Sequence, residues 1–117
     1  MKDSSQPSVL IVILNYNTYE LTLQLVEQIH TKLDYDNYQI YVIDNCSPNE
    51  SAKVLQENAG SYLLYPNNKN AGYAAGNNIG IRYGIKHGYK YTWILNNDVL
   101  ITDANVLNHM VSIMEQK

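Results

Sequence analysis

Apolar residues in this chain fall into short dense runs, separated by segments where they recur every three or four positions. Ser8–Leu14 is apolar throughout after its first residue, the pattern of a strand covered on both faces of a parallel sheet. Leu21, Leu25 and Ile29 then repeat at four-residue spacing. This predicts a helix from about Thr18 to Lys32, capped by Asn17 with Glu20 three residues on. Tyr38–Ile43 reads as the second strand. Ser47-Pro48-Asn49-Glu50 joins a capping serine, a proline suited to the first helical position and a closing glutamate, predicting a short helix that stops at Gly60. Ser61–Tyr65 is the third strand, and an Asn-rich loop follows over Pro66–Ala71. A third helix is expected from Tyr73 to His87, with Gly88 as its stop. Tyr91–Leu95 is the fourth strand. Thr102 or Asp103 would cap a last helix carrying Val106, Leu107, Met110 and Met114.

Strict alternation of strand and helix implies parallel strands joined by right-handed crossovers. The expected fold is therefore α/β, a Rossmann-like three-layer α/β/α arrangement with a mostly parallel sheet of about four strands. The polar residues 1–7 read as a flexible leader and 8–117 as one domain. In open sheets of this kind ligands sit beyond the carboxyl ends of the strands. Those ends carry Asn15, Tyr16 and Asn17; Asp44 and Asn45; Asn67, Asn68, Lys69 and Asn70; and Asn96, Asn97 and Asp98. Asn and Asp are also ordinary turn formers, but four such loops converging on one edge point to a site.

Composition narrows the function classes. Net charge is −3 without a basic cluster, which argues against a nucleic-acid partner. The lone Cys46 excludes an internal disulfide or a cysteine-built metal site and fits a reducing compartment. The longest apolar run is far too short to span a bilayer, and no signal-peptide pattern opens the chain. A cytoplasmic location is expected, with a longer parent free to associate with a membrane through other parts. Neither the dinucleotide glycine fingerprint nor a P-loop is present. His30, His87 and His109 are expected near helix C-termini and form no catalytic pattern. Gly76, Gly80 and Gly84 share one helix face, which predicts close packing of that helix on the sheet.

Four segments resemble family 2 glycosyltransferases of the GT-A fold. Val9-Leu10-Ile11-Val12-Ile13-Leu14-Asn15-Tyr16-Asn17 is similar to their opening strand and loop, and Val42-Ile43-Asp44-Asn45-Cys46-Ser47 to their second-strand signature. The run from Asn70-Ala71-Gly72 to Gly80 resembles their helix start, especially in the rhamnosyltransferase-like branch. Leu95-Asn96-Asn97-Asp98 stands where they carry a D-x-D metal motif. The resemblance covers nearly the whole chain, as the nucleotide-sugar-binding half of a truncated GT-A domain.

The resemblance implies roles residue by residue. Asn15 and Tyr16 would line the nucleobase pocket, and Asp44, with Asn45 beside it, would accept the imide N–H of a uracil or thymine. Asn70 and Gly72 would lie near the nucleotide, with Asn96 and Asn97 toward the ribose or metal shell. Asp98 would hold Mg2+ or Mn2+ against the diphosphate. The donor would be a UDP- or dTDP-sugar, and a glycan or lipid-linked acceptor would be engaged by a missing half. Asn96 departs from the family pattern, where many members carry Asp. The general base is expected beyond Lys117, so no catalytic residue is named and the chain alone is expected to be inactive. An unpaired edge at Tyr91–Leu95 predicts a homodimer. The competing reading is a non-catalytic α/β module whose Asn-rich loops bind a protein or small ligand.

Overall fold

The structure, a computed structural model, describes residues 6–69 and 72–116. Its elements run β1 (Val9–Asn15), α1 (Tyr19–Lys32), β2 (Tyr38–Asn45), α2 (Ser51–Glu57), β3 (Leu63–Asn67), α3 (Tyr73–Lys86), β4 (Tyr91–Asn96) and α4 (Val106–Glu115). The strands form one parallel sheet in the order β3-β2-β1-β4. The chain thus builds outward from β1 to one side, then returns to pair β4 on the other. The switch point of the sheet lies between β1 and β4.

Side-chain parity divides the core. Val9, Ile11 and Ile13 point with Ile40 and Val42 into a layer filled by Leu25 and Ile29 of α1, Leu55 of α2 and Leu107 and Val111 of α4. Leu10, Val12 and Leu14 point the other way with Tyr41 and Ile43, against Ile79 and Tyr83 of α3. Every residue of β1 is buried, as a central parallel strand requires. The three-layer α/β/α architecture is the one expected.

α3 lies unusually close to the sheet because glycines face it. A Cβ at Gly76 would come within 2.6 Å of Leu14 Cδ1, one at Gly80 within 2.6 Å of Val12 Cγ1, and one at Gly84 within 2.6 Å of Thr92 Oγ1. The expected packing role of these three glycines holds.

Several boundaries and caps differ from expectation. The strands continue into their polar ends, so Asn15, Asp44, Asn45 and Asn96 belong to rigid strands rather than loops. β3 is displaced toward the chain's end and includes Pro66, opposite Asp44. Proline is tolerated there because β3 is an edge strand. Asn17 does not cap α1. It takes φ 62° in the left-handed region, and Thr18 is the cap residue, without a side-chain cap bond. Ser47 does not cap α2, whose cap residue is Glu50; its hydroxyl donates instead to Asp44. α4 starts after Asn105, not after Thr102 or Asp103. His109 consequently sits in the first turn of α4 rather than near its end. Of the expected leader, residues 1–5 lie outside the described residues. Gln6 Oε1 accepts from the backbone N–H groups of Asp36 and Asn37, and Pro7 O accepts from Tyr35. Among the described residues, no helix is long and apolar enough to cross a membrane.

Candidate functional site

Where β1 and β4 diverge toward their helices, a cleft of about 340 Å³ opens. Leu14 and Asn96, paired in register, form its floor. Tyr16, Thr18 and Leu21 line one side, Tyr73 at the start of α3 the other, and Asn97 and Asp98 complete it. Tyr16 and Tyr73 are 45% and 54% exposed, so two aromatic faces are available to a planar ligand. Tyr73 donates its hydroxyl proton to Asn96 Oδ1, bridging α3 to the end of β4.

The expected residues separate into two groups. Tyr16, Asn96, Asn97 and Asp98 meet in the cleft. Asp44 lies at the same edge of the sheet but outside the cleft lining, 2% exposed. It is opposite Asn15 in register, and Asn15 Nδ2 donates to its Oδ1 at 2.9 Å. Ser47 donates twice, from Oγ to Oδ1 at 2.6 Å and from its backbone N–H to Oδ2 at 3.2 Å. A carboxylate has about four acceptor positions. Three are therefore engaged within the protein, and the remaining capacity is on Oδ2.

Asn45 is also buried and braces the fold. Its Oδ1 accepts from Asn67 Nδ2, and its Nδ2 donates to Gly72 O. Gly72 caps α3 with φ 98°, and among the described residues beyond its chain neighbours no atom lies within 4 Å of where its Cβ would be. Glycine is needed there for backbone conformation, not for close packing. Asn70 lies outside the described residues. Lys69 is exposed at the end of the loop before it.

Asp98 is the carboxylate of the cleft, and it is exposed. Among the described residues, no three His, Cys, Asp or Glu side chains gather as a metal cluster. The donor set therefore fits a hard cation that takes one protein carboxylate and fills its shell with substrate phosphates and water. It does not fit a resident structural ion.

Four contributors were not anticipated: Thr18, Thr22, Ser47 and Tyr73. Asn97 Nδ2 donates to Thr18 Oγ1 at 2.7 Å and to Thr22 Oγ1 at 3.2 Å, which pins the end of β4 to the first turn of α1. Thr22 left a sequence signal. It occupies the buried row of α1 with Leu25, Val26 and Ile29, a polar residue in an apolar stripe. A larger concavity of about 730 Å³ lies at the opposite end of the strands, near Tyr38 and Leu63. There His30 is already engaged with Tyr38 Oη and Ser61 O, and the location is the amino end of the sheet.

Known proteins resemble this chain in sequence or in fold. Residues 10–117 match the sequence family Glycosyl transferase family 2. The minor teichoic acid biosynthesis protein GgaB of Bacillus subtilis (strain 168) is 29% identical over 86% of this chain, which spans 11% of GgaB. A mannosyltransferase, PcManGT from Pyrobaculum calidifontis, solved in complex with GDP-Man and Mn2+, superposes with a TM-score of 0.76 at 19% identity. The match covers 91% of this chain and 32% of that one. S. aureus TarS 1-349 in complex with UDP-GlcNAc superposes with a TM-score of 0.67 at 13% identity, covering 93% of this chain and 31% of TarS 1-349. The chain thus spans about a third or less of the length of these relatives.

Proposed function

The chain belongs to glycosyl transferase family 2, and from that premise we propose that its cleft binds the nucleoside diphosphate of a sugar donor for inverting transfer to a glycan or lipid-linked acceptor. The carrying observation is that Tyr16, Asn96 and Asp98, at or just beyond the ends of two strands distant in sequence, line one cleft at the sheet's switch point. Tyr16 offers a face for the base. Asp44, through the free capacity of Oδ2, accepts an imide N–H once the Ser47 segment yields, which favours a UDP or dTDP donor. Gly72 would lie on the approach to the nucleotide, the role the resemblance also gives Asn70, which is outside the described residues, and Asn96 would meet ribose or phosphate oxygens. Asp98 would hold Mg2+ or Mn2+, which when bound neutralises charge on the departing diphosphate. We assign no general base to these residues, so that they bind a donor without transferring its sugar. The similarity to GgaB supports a surface glycopolymer as the acceptor class. The rhamnosyl-type helix start, a cytoplasmic location and pairing of two copies along the free edge of β4 belong to the same reading.

Isothermal titration with UDP, dTDP and GDP, each with and without Mn2+, tests this. Metal-assisted binding of a pyrimidine diphosphate, reduced to metal-independent binding by Asp98→Ala, is expected. A folded sample that binds none of the three, or binds them without regard to Mn2+ and Asp98, would favour the non-catalytic module instead.

A further inference from the structure

Five side chains at the carboxyl edge of the sheet form one unbroken line of hydrogen bonds. Asn97 Nδ2 donates to Thr22 Oγ1 at 3.2 Å, and Thr22 Oγ1 donates to Asn15 Oδ1 at 2.7 Å. Asn15 Nδ2 then donates to Asp44 Oδ1 at 2.9 Å, and Ser47 Oγ donates to the same oxygen from the far side. Thr22 and Asn15 are fully buried and Asp44 nearly so. Water cannot substitute for a missing partner at the centre of this line.

Both arms of the line donate toward Asp44, and Asp44 sets that direction. A carboxylate accepts and does not donate, so Asn15 must turn its NH2 toward Asp44 and its carbonyl oxygen toward Thr22. The Thr22 hydroxyl must then give its proton to Asn15, leaving a lone pair for Asn97. Reversing any link would bring two acceptors together or leave a buried group unpaired, and both are costly at low dielectric. The line set at Asp44 ends on Asn97, whose Nδ2 also donates to Thr18 Oγ1 at 2.7 Å and to Thr18 O at 3.4 Å and whose neighbour in sequence is Asp98.

We propose that Thr22 is a positioning residue that couples the Asp44 end of the site to the Asp98 end, so that nucleotide and divalent ion bind cooperatively. This rests on the reading of the cleft as a nucleotide-diphosphate site. A base that draws on Asp44 redistributes the bonds to Asn15, and the change passes through one hydroxyl to the segment carrying Asp98. By linkage, the ion strengthens the base contact by the same factor.

Two measurements on the 117-residue chain test it. The first is the factor by which Mn2+ tightens UDP binding. It is expected to fall about fivefold in Thr22→Val, the worth of one net hydrogen bond, and to be kept in Thr22→Ser, which retains the hydroxyl. Asn97→Ala, which cuts the line at its outer end, should show the same loss where Thr22→Val does not fold. An unchanged factor in folded Thr22→Val or Asn97→Ala overturns the coupling while leaving the nucleotide site standing. The second measurement needs no ligand. The Asn97 side-chain amide resonances should shift on Ser47→Ala in the wild-type background but not with Thr22→Val. For a Thr22→Val chain that does not fold, Thr22→Ser should retain the shift. Equal shifts with and without the hydroxyl, or no shift in wild type, overturn the proposal. A wild-type chain that binds no nucleotide but passes this amide test refutes the nucleotide reading and keeps the coupling.

Discussion

Gly80→Ala is the sharpest test of how α3 meets the sheet. An added Cβ would lie 2.6 and 2.7 Å from the two γ carbons of Val12 and 3.2 Å from its Cβ. Carbon atoms in contact prefer about 3.5–4.0 Å, so each γ carbon is too close by about 1 Å. Val12 cannot swing clear. It is β-branched, so rotation exchanges one methyl for the other, and it is fully buried in the central strand. The helix must lift or the strand must bend. With both γ carbons and the Cβ of Val12 too close, the overpacking falls in the upper half of its usual range, about 2–3 kcal/mol, against about 1 kcal/mol that alanine regains over glycine in a helix. A net loss of about 1–2 kcal/mol is expected, read as a lower urea midpoint at unchanged slope. Gly76→Ala provides the control. Its nearest contact is the far end of Leu14, at the floor of the cleft, which can move aside. Gly76→Ala should cost less stability than Gly80→Ala but alter the cleft. Adding Val12→Ala to Gly80→Ala should recover part of the loss, a coupling of about 1 kcal/mol or more. Gly80→Ala as stable as the wild type, or no worse than Gly76→Ala, would refute the argument.

Three further outcomes are expected. Cys46 holds φ 59°, a left-handed conformation that costs any residue with a Cβ about 1–2 kcal/mol and crowds a β-branched one further; Cys46→Val should lower the urea midpoint, while Cys46→Gly, relieved of that crowding, keeps or raises it and shows that the thiol is not needed. The Lys90 ammonium, hydrogen-bonded to Glu115, and then the Tyr91 hydroxyl hold the Glu115 carboxyl below its ordinary value of 4.5. A depressed folded value stabilises above the unfolded one and is lost as pH falls through it. The end of α4 should therefore loosen only below pH 4.5, and Lys90→Met should return the Glu115 titration, followed by carboxyl-carbon NMR, toward 4.5. Tyr73→Phe removes the donor to Asn96 and keeps the aromatic face; it should weaken nucleotide-diphosphate binding several-fold in titration calorimetry without lowering the midpoint of unfolding.

The architecture was legible because it depends on pattern. The apolar run of β1 and the four-residue row of α1 each state which faces are buried, and the core obeys both. The glycine row of α3 was legible for the same reason, since spacing alone places it on one face. What spacing cannot decide is which of two partners a polar side chain takes. Ser47 has the local sequence of a helix cap, yet Asp44, three residues earlier, offers it a charged acceptor. A hydrogen bond to a charged group outweighs a neutral cap, so α2 starts later than its motif suggests. The same choice explains why Asp44 is not an open recognition group. Its register opposite Asn15 and its hold on Ser47 close it over, so on the proposed reading a base would displace part of that set to reach it. The cleft itself presents Asp98 and two exposed tyrosines, while Asp44 stands behind a serine. The most informative residues at this site are therefore Ser47 and Thr22. Through one hydroxyl each, Ser47 sets how far Asp44 is closed over and Thr22, on the proposal above, whether the two acidic ends of the site act separately or together.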